Sequence, residues 1–294
     1  MSRFRSRVVV PYLLMAPALV LLSVFVYVPV IENLRYSLYR WSSLSPTWDF
    51  VGFDNYAALL ADPLFWRALG NNATYAAVSL IVQVCGGLVL AATLEAGVLR
   101  GRLSSFFRIS FFIPSILPIT VIGLLWTLLY QPSIGLVAQI LEAIGVPSLA
   151  HAWLGEEATA LYAVILVSQW QWTGYIAVLF IVAIRAIPVE LYEAASLDGA
   201  GKIRQFFAIT IPCVREMTLV MASITVFGAV KVFDIIWVMT GGGPNGSSEV
   251  LATLMYRSAF RNDVVGYAST IAVVMFCLSL VFGLIQIRLQ REQS

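Results

Sequence analysis

Charge is what this sequence has least of. Asp, Glu, Lys and Arg make up 12% of its 294 residues, about half the ~25% of an ordinary soluble domain. Hydrophobic residues make up 60%, and the mean hydropathy is +0.87. A soluble chain of this length could bury one large core, but it would need a charged surface that these residues cannot build. The composition therefore points to a polytopic membrane protein. Cysteine is also sparse. Cys85, Cys213 and Cys277 are far apart, each in or beside an apolar run. They form no C-x-x-C pair and no metal spacing, so the expected role is that of a buried small side chain. His151 is the sole histidine, which argues against a zinc site. A net charge of +2 without a basic run gives no sign of nucleic-acid binding.

What is present is a series of long apolar runs. Arg3, Arg5 and Arg7 precede a run from Val8 to Ile31. That imitates a secretory signal, but the run is longer than a signal core and no A-x-A cleavage site comes after it, so it is read as a retained first span. Pro29 is expected to kink or end it. Residues 32–69 read as an ordered loop with Trp and Tyr at the water boundary. A second span runs from about Asn71 to Leu94, where Gly86 and Gly87 would admit a close neighbour. A third, from about Ile109 to Tyr130, contains Pro114 and Pro118. Two prolines four apart predict a broken or kinked span. Such a break either lines a pathway or is filled by neighbouring side chains. Residues 131–158 form a second loop. A fourth span runs from about Ala158 to Ile184, a fifth from about Cys213 to Met239 and a sixth from about Tyr267 to Ile287. The predicted fold is thus an all-α membrane protein with six transmembrane helices in one domain spanning 1–294.

Six spans place both termini on one side, and charge bias identifies that side. Twelve basic residues fall on the terminal side and five on the other, with Lys231 inside a span. Both termini and the loop between spans four and five are therefore expected in the cytoplasm.

That loop, residues 188–212, is PVELYEAASLDGAGKIRQFFAITIP. Pro188 suits the first position of a helix, and Glu190 and Glu193 would sit near the positive end of its dipole. Ala194, Ala195 and Ser196 present a low surface. Gly199-Ala200-Gly201 stops the helix, because glycine accepts positive φ. Ile203, Phe206, Phe207, Thr210 and Ile211 then recur on one face of a second helix, with Lys202, Arg204 and Gln205 on the other. Such a helix-bend-helix either docks on a partner or rests on lipid headgroups. Gly199-Ala200-Gly201-Lys202 is not a phosphate-binding loop. That motif needs Gly at Ser196 and Ser or Thr at Ile203, and no buried strand precedes it.

Glu193-Ala194-Ala195, Gly199 and Ile209-Thr210-Ile211-Pro212 resemble the EAA loop of binding-protein-dependent ABC importers, with Ile211 in the usual Leu position. Residues 50–66, 186–200 and Met239–Asn245 are similar to the carbohydrate-importer branch, the relatives of the maltose and glycerol-phosphate permeases. The resemblance implies one permease of a two-subunit transmembrane core, paired with a second, homologous permease. It also implies two cytoplasmic ATPase subunits, an external solute-binding protein and a bacterial cytoplasmic membrane location. On this resemblance Glu193, Ala194, Ala195, Asp198 and Gly199 make or shape the ATPase contact. The chain itself binds no cofactor, and ATP and Mg belong to the ATPase partners.

In span four, Ser168, Gln171, Trp172 and Tyr175 are spaced i, i+3, i+4, i+7. This polar and aromatic face suits a sugar, or it packs against a neighbouring helix. The maltose-permease resemblance favours the pathway, although the asparagines of that permease align with Ala229 and Val232 here. Thr225 is the similar polar position in span five, and Ser115 at the span-three prolines is a further candidate. Lys231 and Asp234 are three apart in span five, where each charge costs about 2.5–3.5 kcal/mol at mid-span. As an i, i+3 pair they would neutralise each other. They either line the pathway or form a structural pair near the boundary. An ion-coupled transporter using this pair is the competing reading. An intramembrane enzyme is excluded for want of a Ser–His or Cys–His pair. Uptake by cells carrying the protein is expected to survive a protonophore while ATP is maintained and to stop on ATP depletion. The opposite pattern would establish the ion-coupled reading.

Overall fold

The computed structural model describes residues 14–44, 47–95 and 102–291. Arg3, Arg5, Arg7, the start of the first run at Val8 and the basic Arg100 lie outside the described residues. The apolar runs become helices, as a chain must when its backbone has no water to bond. In chain order these are α1 (Leu14–Tyr36), a two-residue hairpin of β1 (Tyr39–Arg40) and β2 (Asp49–Phe50), α2 (Asp54–Ala61) and α3 (Pro63–Glu95). Next come α4 (Arg102–Ile116), α5 (Ile119–Leu129), α6 (Leu136–Ala143), α7 (Ala160–Arg185) and α8 (Val189–Leu197). The series ends with α9 (Lys202–Cys213), α10 (Arg215–Val230), α11 (Asp234–Met239), α12 (Leu251–Tyr256) and α13 (Val265–Arg291).

Four of these, α1, α3, α7 and α13, are long and apolar enough to cross a membrane. The count rises to as many as six if each of two bent pairs is one span. Those pairs are α4 with α5, bent by 101°, and α9 with α10, bent by 71°. The break expected at Pro114 and Pro118 is present, though its first helix starts at Arg102 rather than near Ile109. Pro29 neither ends nor interrupts α1. A π-turn at Ser23–Tyr27 precedes it, and the helix runs on to Tyr36; such widened turns absorb a disrupted backbone bond. The second span begins at Pro63, eight residues before its expected start, because Pro63 opens the helix and nothing after it stops it.

The chain divides into two compact units, residues 1–62 with 255–274, and residues 63–254 with 275–294. The smaller is organised by polar ties at its loops. Antiparallel pairing of Tyr39 with Phe50 and Arg40 with Asp49 forms the hairpin. Trp41 and Trp48 stack beside it at 5.0 Å. Asn55 donates to the carbonyls of Ser37 and Tyr39 at 2.8 and 3.0 Å. Asp263 adopts a left-handed φ of 54°, which short polar side chains tolerate. Its carboxylate accepts the Ser43 N–H at 2.9 Å and the Ser42 and Ser43 hydroxyls. Those hydroxyl bonds, first from Ser42 and then from Ser43, hold its pKa down at about 2.

The larger unit is built around α7, of whose most apolar stretch 61% is buried. Ser168, Gln169, Gln171 and Gly174 are buried along it together with Val164, Val167 and Phe180. It meets α4 tightly at Gly174. A Cβ on Gly174 would lie 1.8 Å from the Phe111 carbonyl oxygen, so this crossing requires the missing side chain. Gly87 does the same against Ile176, with 3.1 Å available, whereas Gly86 meets only its own helix. Of the two glycines expected to admit a neighbour, one does.

The cysteines are a correction. Cys85, Cys213 and Cys277 are all exposed rather than buried. In a membrane chain an apolar neighbourhood marks lipid-facing and core-facing sides alike, so the runs around them carried no information on burial. Gly174→Ala is expected to destabilise the protein by about 1–3 kcal/mol, read as a lower thermal unfolding temperature in detergent. Gly86→Ala should leave that temperature unchanged.

Candidate coupling segment and cavity

Two features of the larger unit stand apart from packing. The first is α8. Pro188 caps it from the position before its first residue, one place earlier than expected, with ψ of 129°. Glu190 lies in the first turn, and no residue of the helix is buried. Glu193, Ala194 and Asp198 are exposed, Ala195 is half-buried, and Leu197 is 90% exposed. The helix ends in a paired cap. The Ala200 N–H reaches the Ala195 carbonyl at 2.9 Å and the Gly199 N–H reaches Ser196 at 3.1 Å, with Gly199 at φ +75°. That geometry is the Schellman motif, which places glycine after the last helical turn.

The helix after the bend is turned differently from its expected face. Ile203 and Phe207 point outward, 78% and 64% exposed, while Gln205 is buried at 3%. The reason is hydrogen bonding. The Gln205 amide donates to the Ser196 hydroxyl at 2.8 Å and to the carbonyls of Ala200 and Tyr192 at 3.0 and 3.4 Å. Tyr192 and Thr210 share a further bond at 2.9 Å. A π-turn at Phe206–Thr210 shifts the register of the residues beyond it. These contacts clamp α8 to α9. The only signal of them in the sequence is a glutamine between Arg204 and two aromatic residues.

The second feature is a cavity of about 280 Å³, near the lower end of the ~300–1,000 Å³ typical of small-molecule sites. Ser168, Trp172, Tyr175 and Thr225 line it, as do Lys231 and Asp234. Tyr75, Ser79 and Gln83 of α3 complete the wall; these three were not anticipated. The Tyr75 and Ser168 hydroxyls are hydrogen-bonded. Gln169 accepts from Gln83 at 2.9 Å and donates to Ser79 at 3.1 Å. The Thr225 hydroxyl is buried without a hydrogen-bond partner among the described residues. The indole of Trp172 and the phenol of Tyr175 offer faces on which the apolar side of a ligand ring can stack.

Two candidates are elsewhere. Gln171 is 1% exposed and does not line the cavity. Its amide donates to the Leu117 carbonyl at 3.3 Å, at the break between α4 and α5. Ser115 does not line it either, and bonds back to the Phe112 carbonyl at 2.7 Å. The i, i+7 pattern found one side of α7 correctly, but that side is wide enough to face two neighbours.

Lys231 and Asp234 do not neutralise each other, because the fifth span is not continuous there. Lys231 caps α10 and Asp234 opens α11. Both are exposed to the cavity, and among the described residues no ion pair joins them. Asn72 supports the break. Its amide donates to the Ala229 carbonyl at 2.7 Å, and its oxygen accepts the Leu251 N–H at 2.8 Å.

A chain of apolar helices, an exposed, glycine-capped helix between two of them, and a largely apolar cavity that carries a few polar groups are the features of a transport component rather than a catalyst. Residues 83–293 match the family described as binding-protein-dependent transport system inner membrane component, and the chain belongs to it. It is 51% identical over 280 residues to the probable ABC transporter permease protein YurN of Bacillus subtilis, covering 95% of each chain. It is 37% identical to the diacetylchitobiose uptake system permease protein NgcF of Streptomyces coelicolor, covering 88% of this chain and 76% of that one. A chain of a bacterial alginate ABC transporter, solved in complex with an alginate pentasaccharide-bound periplasmic protein, has the same fold. Its TM-score is 0.86 at 21% identity, covering 99% of this chain and 97% of that one. The chain is accordingly a permease component and not an enzyme, and an ion-coupled secondary transporter built on Lys231 and Asp234 is set aside. Trp172→Ala is expected to lower uptake at least tenfold, roughly the loss of one stacked ring at ~1.4 kcal/mol, with normal protein in the membrane. Gln169→Leu should instead lower stability by about 1–3 kcal/mol, because Gln83 and Ser79 lose their partner.

Proposed function

We propose that this chain is one membrane subunit of an ATP-driven importer that moves a sugar or sugar derivative across the bacterial cytoplasmic membrane. The observation that carries this reading is α8: a helix with no buried residue, ended by a glycine cap and held by Gln205 to the helix that leads into the next span. The basic-residue bias supports six spans with both termini and α8 in the cytoplasm. A homologous permease beside it, two ATPase subunits beneath it and an external binding protein complete the assembly. ATP and Mg act at the ATPases alone. The named substrates of NgcF and of the alginate transporter support the saccharide class, as do the aromatic and hydroxyl groups of the cavity.

In this reading Glu193, Ala194, Ala195, Asp198 and Gly199 form or shape the ATPase contact. ATP binding draws the ATPase subunits together, and α8 moves with them. The clamp of Tyr192, Ser196, Gln205 and Thr210 passes that motion to α9. The spans on either side then tilt and open the cavity outward. Trp172, Tyr175, Ser168 and Thr225 hold the sugar on its way, with Lys231 and Asp234 at the break.

Gly199→Val forces a β-branched residue into a left-handed φ, at about 1–2 kcal/mol, and distorts the end of α8. It is expected to abolish uptake while the protein still inserts, as is Glu193→Lys. Normal uptake by Gly199→Val protein that still co-purifies with its ATPase would refute the coupling role.

A further inference from the structure

Beside the clamp, the outward turn of Ile203 and Phe207 leaves a trough whose Arg185 and Lys202 the transport reading does not use. One chamber of about 300 Å³ lies among Ala92, Arg185, Tyr192, Lys202 and Phe206. A second, of about 320 Å³, lies against Val89, Ile203 and Phe207. Ala92, Lys202 and Phe206 line both, so the chambers adjoin with Lys202 at the junction. The walls of the second are apolar and open, with Val89 53% exposed alongside Ile203 and Phe207. An apolar helix face beside basic side chains is the pattern of an element lying in a bilayer interface.

The charge at this trough is unbalanced. Among the described residues, Glu95 is the one carboxylate lining it. It already bonds Arg108 at 2.6 Å and Arg185 at 3.0 Å. Lys202 forms no ion pair among the described residues. Two cations, Arg185 and Lys202, thus line the trough with one carboxylate that Arg108 also engages from outside it, and the acidic Glu190 and Glu193 of α8 line neither chamber. A cationic pocket at the ends of apolar helices attracts an anionic headgroup, and an apolar channel leading from it accepts a hydrocarbon chain.

We propose that this trough binds one anionic phospholipid. Its phosphate would sit between Lys202 and Arg185, with an acyl chain along Val89, Phe206 and Phe207. A soluble phosphate would use the first chamber alone and would leave the apolar one empty; the joined chambers favour the lipid. Bound there, the lipid joins the end of α3 to α9, the helix clamped to α8. Binding rests only on the membrane placement of the chain. Its effect on transport rests on the proposed coupling role, so the two are measured separately.

The test uses the whole importer purified in detergent, titrated with dioleoyl phosphatidylglycerol or dioleoyl phosphatidylcholine and read by native mass spectrometry. The wild type is expected to prefer phosphatidylglycerol about fivefold, the effect of roughly one basic residue at a membrane surface. Lys202→Gln should erase that preference and Lys202→Arg keep it. Phe207→Asp should weaken binding of both lipids. Equal affinity of the wild type for the two lipids would overturn the proposal. So would displacement of the bound lipid by millimolar glycerol 3-phosphate, which would assign the site to a free phosphate. ATPase rates in nanodiscs of each lipid then report the coupling consequence. A lipid preference in the mass spectra without a change in those rates would leave the site standing and remove its link to transport.

Discussion

The structure depends on one constraint: a backbone group in hydrocarbon must find a partner inside the protein. A chain that only spanned the membrane would meet it with unbroken helices. This one breaks its helices repeatedly, and at two of the breaks a carboxamide supplies a bond to the freed backbone. Gln171 of α7 donates to the Leu117 carbonyl between α4 and α5. Asn72 of α3 donates to the Ala229 carbonyl where α10 stops and accepts the Leu251 N–H beyond it. Outside the spans, Gln205 bonds the Ala200 carbonyl in the same way at the bend between α8 and α9. A carboxamide suits the task because it donates and accepts without carrying charge into a low-dielectric setting.

Those repaired breaks position both features of interest. The stop at Lys231 leaves Lys231 and Asp234 on different helices, so their charges face the cavity and not each other. The bend at Gly199 ends α8 in open surroundings, while Gln205 and Tyr192 keep it fastened to α9. The same fastening turns Ile203 and Phe207 outward and creates the trough beside Lys202. A rigid clamp on an exposed helix is the arrangement required if force applied outside the membrane is to reach the spans.

Much of this was legible in the residue order. The apolar runs and the proline pair identified the long helices and the break between α4 and α5, but not α2, α6 and α12, which lie in stretches read as loops. Pro188, Glu190 and Gly199 marked the ends of α8 to within one residue, because caps and stops are set by local backbone preference. Trp172, Tyr175, Ser168 and Thr225, named as pathway candidates from helical spacing and resemblance, all line the cavity. Tyr75, Ser79 and Gln83 were not named, although their i, i+4, i+8 spacing puts them on one face of α3 and could have marked them. Gln171 was named on spacing and Ser115 on its place at the span-three prolines, and neither signal tells which neighbour a helix face meets.

By itself, then, the sequence determined the class of environment, the helices, the position of the bend and the family, since each is set by composition, local conformational preference or motif spacing. The tertiary structure alone decided which side of each helix is buried, where the carboxamides bond and whether Lys231 meets Asp234. The physical reason is the solvent. In water an apolar stripe names the inward side, but lipid accepts apolar side chains as readily as a protein core does. The exposed Cys85 and the buried Gln205 could therefore be assigned only once the neighbouring helices were in place.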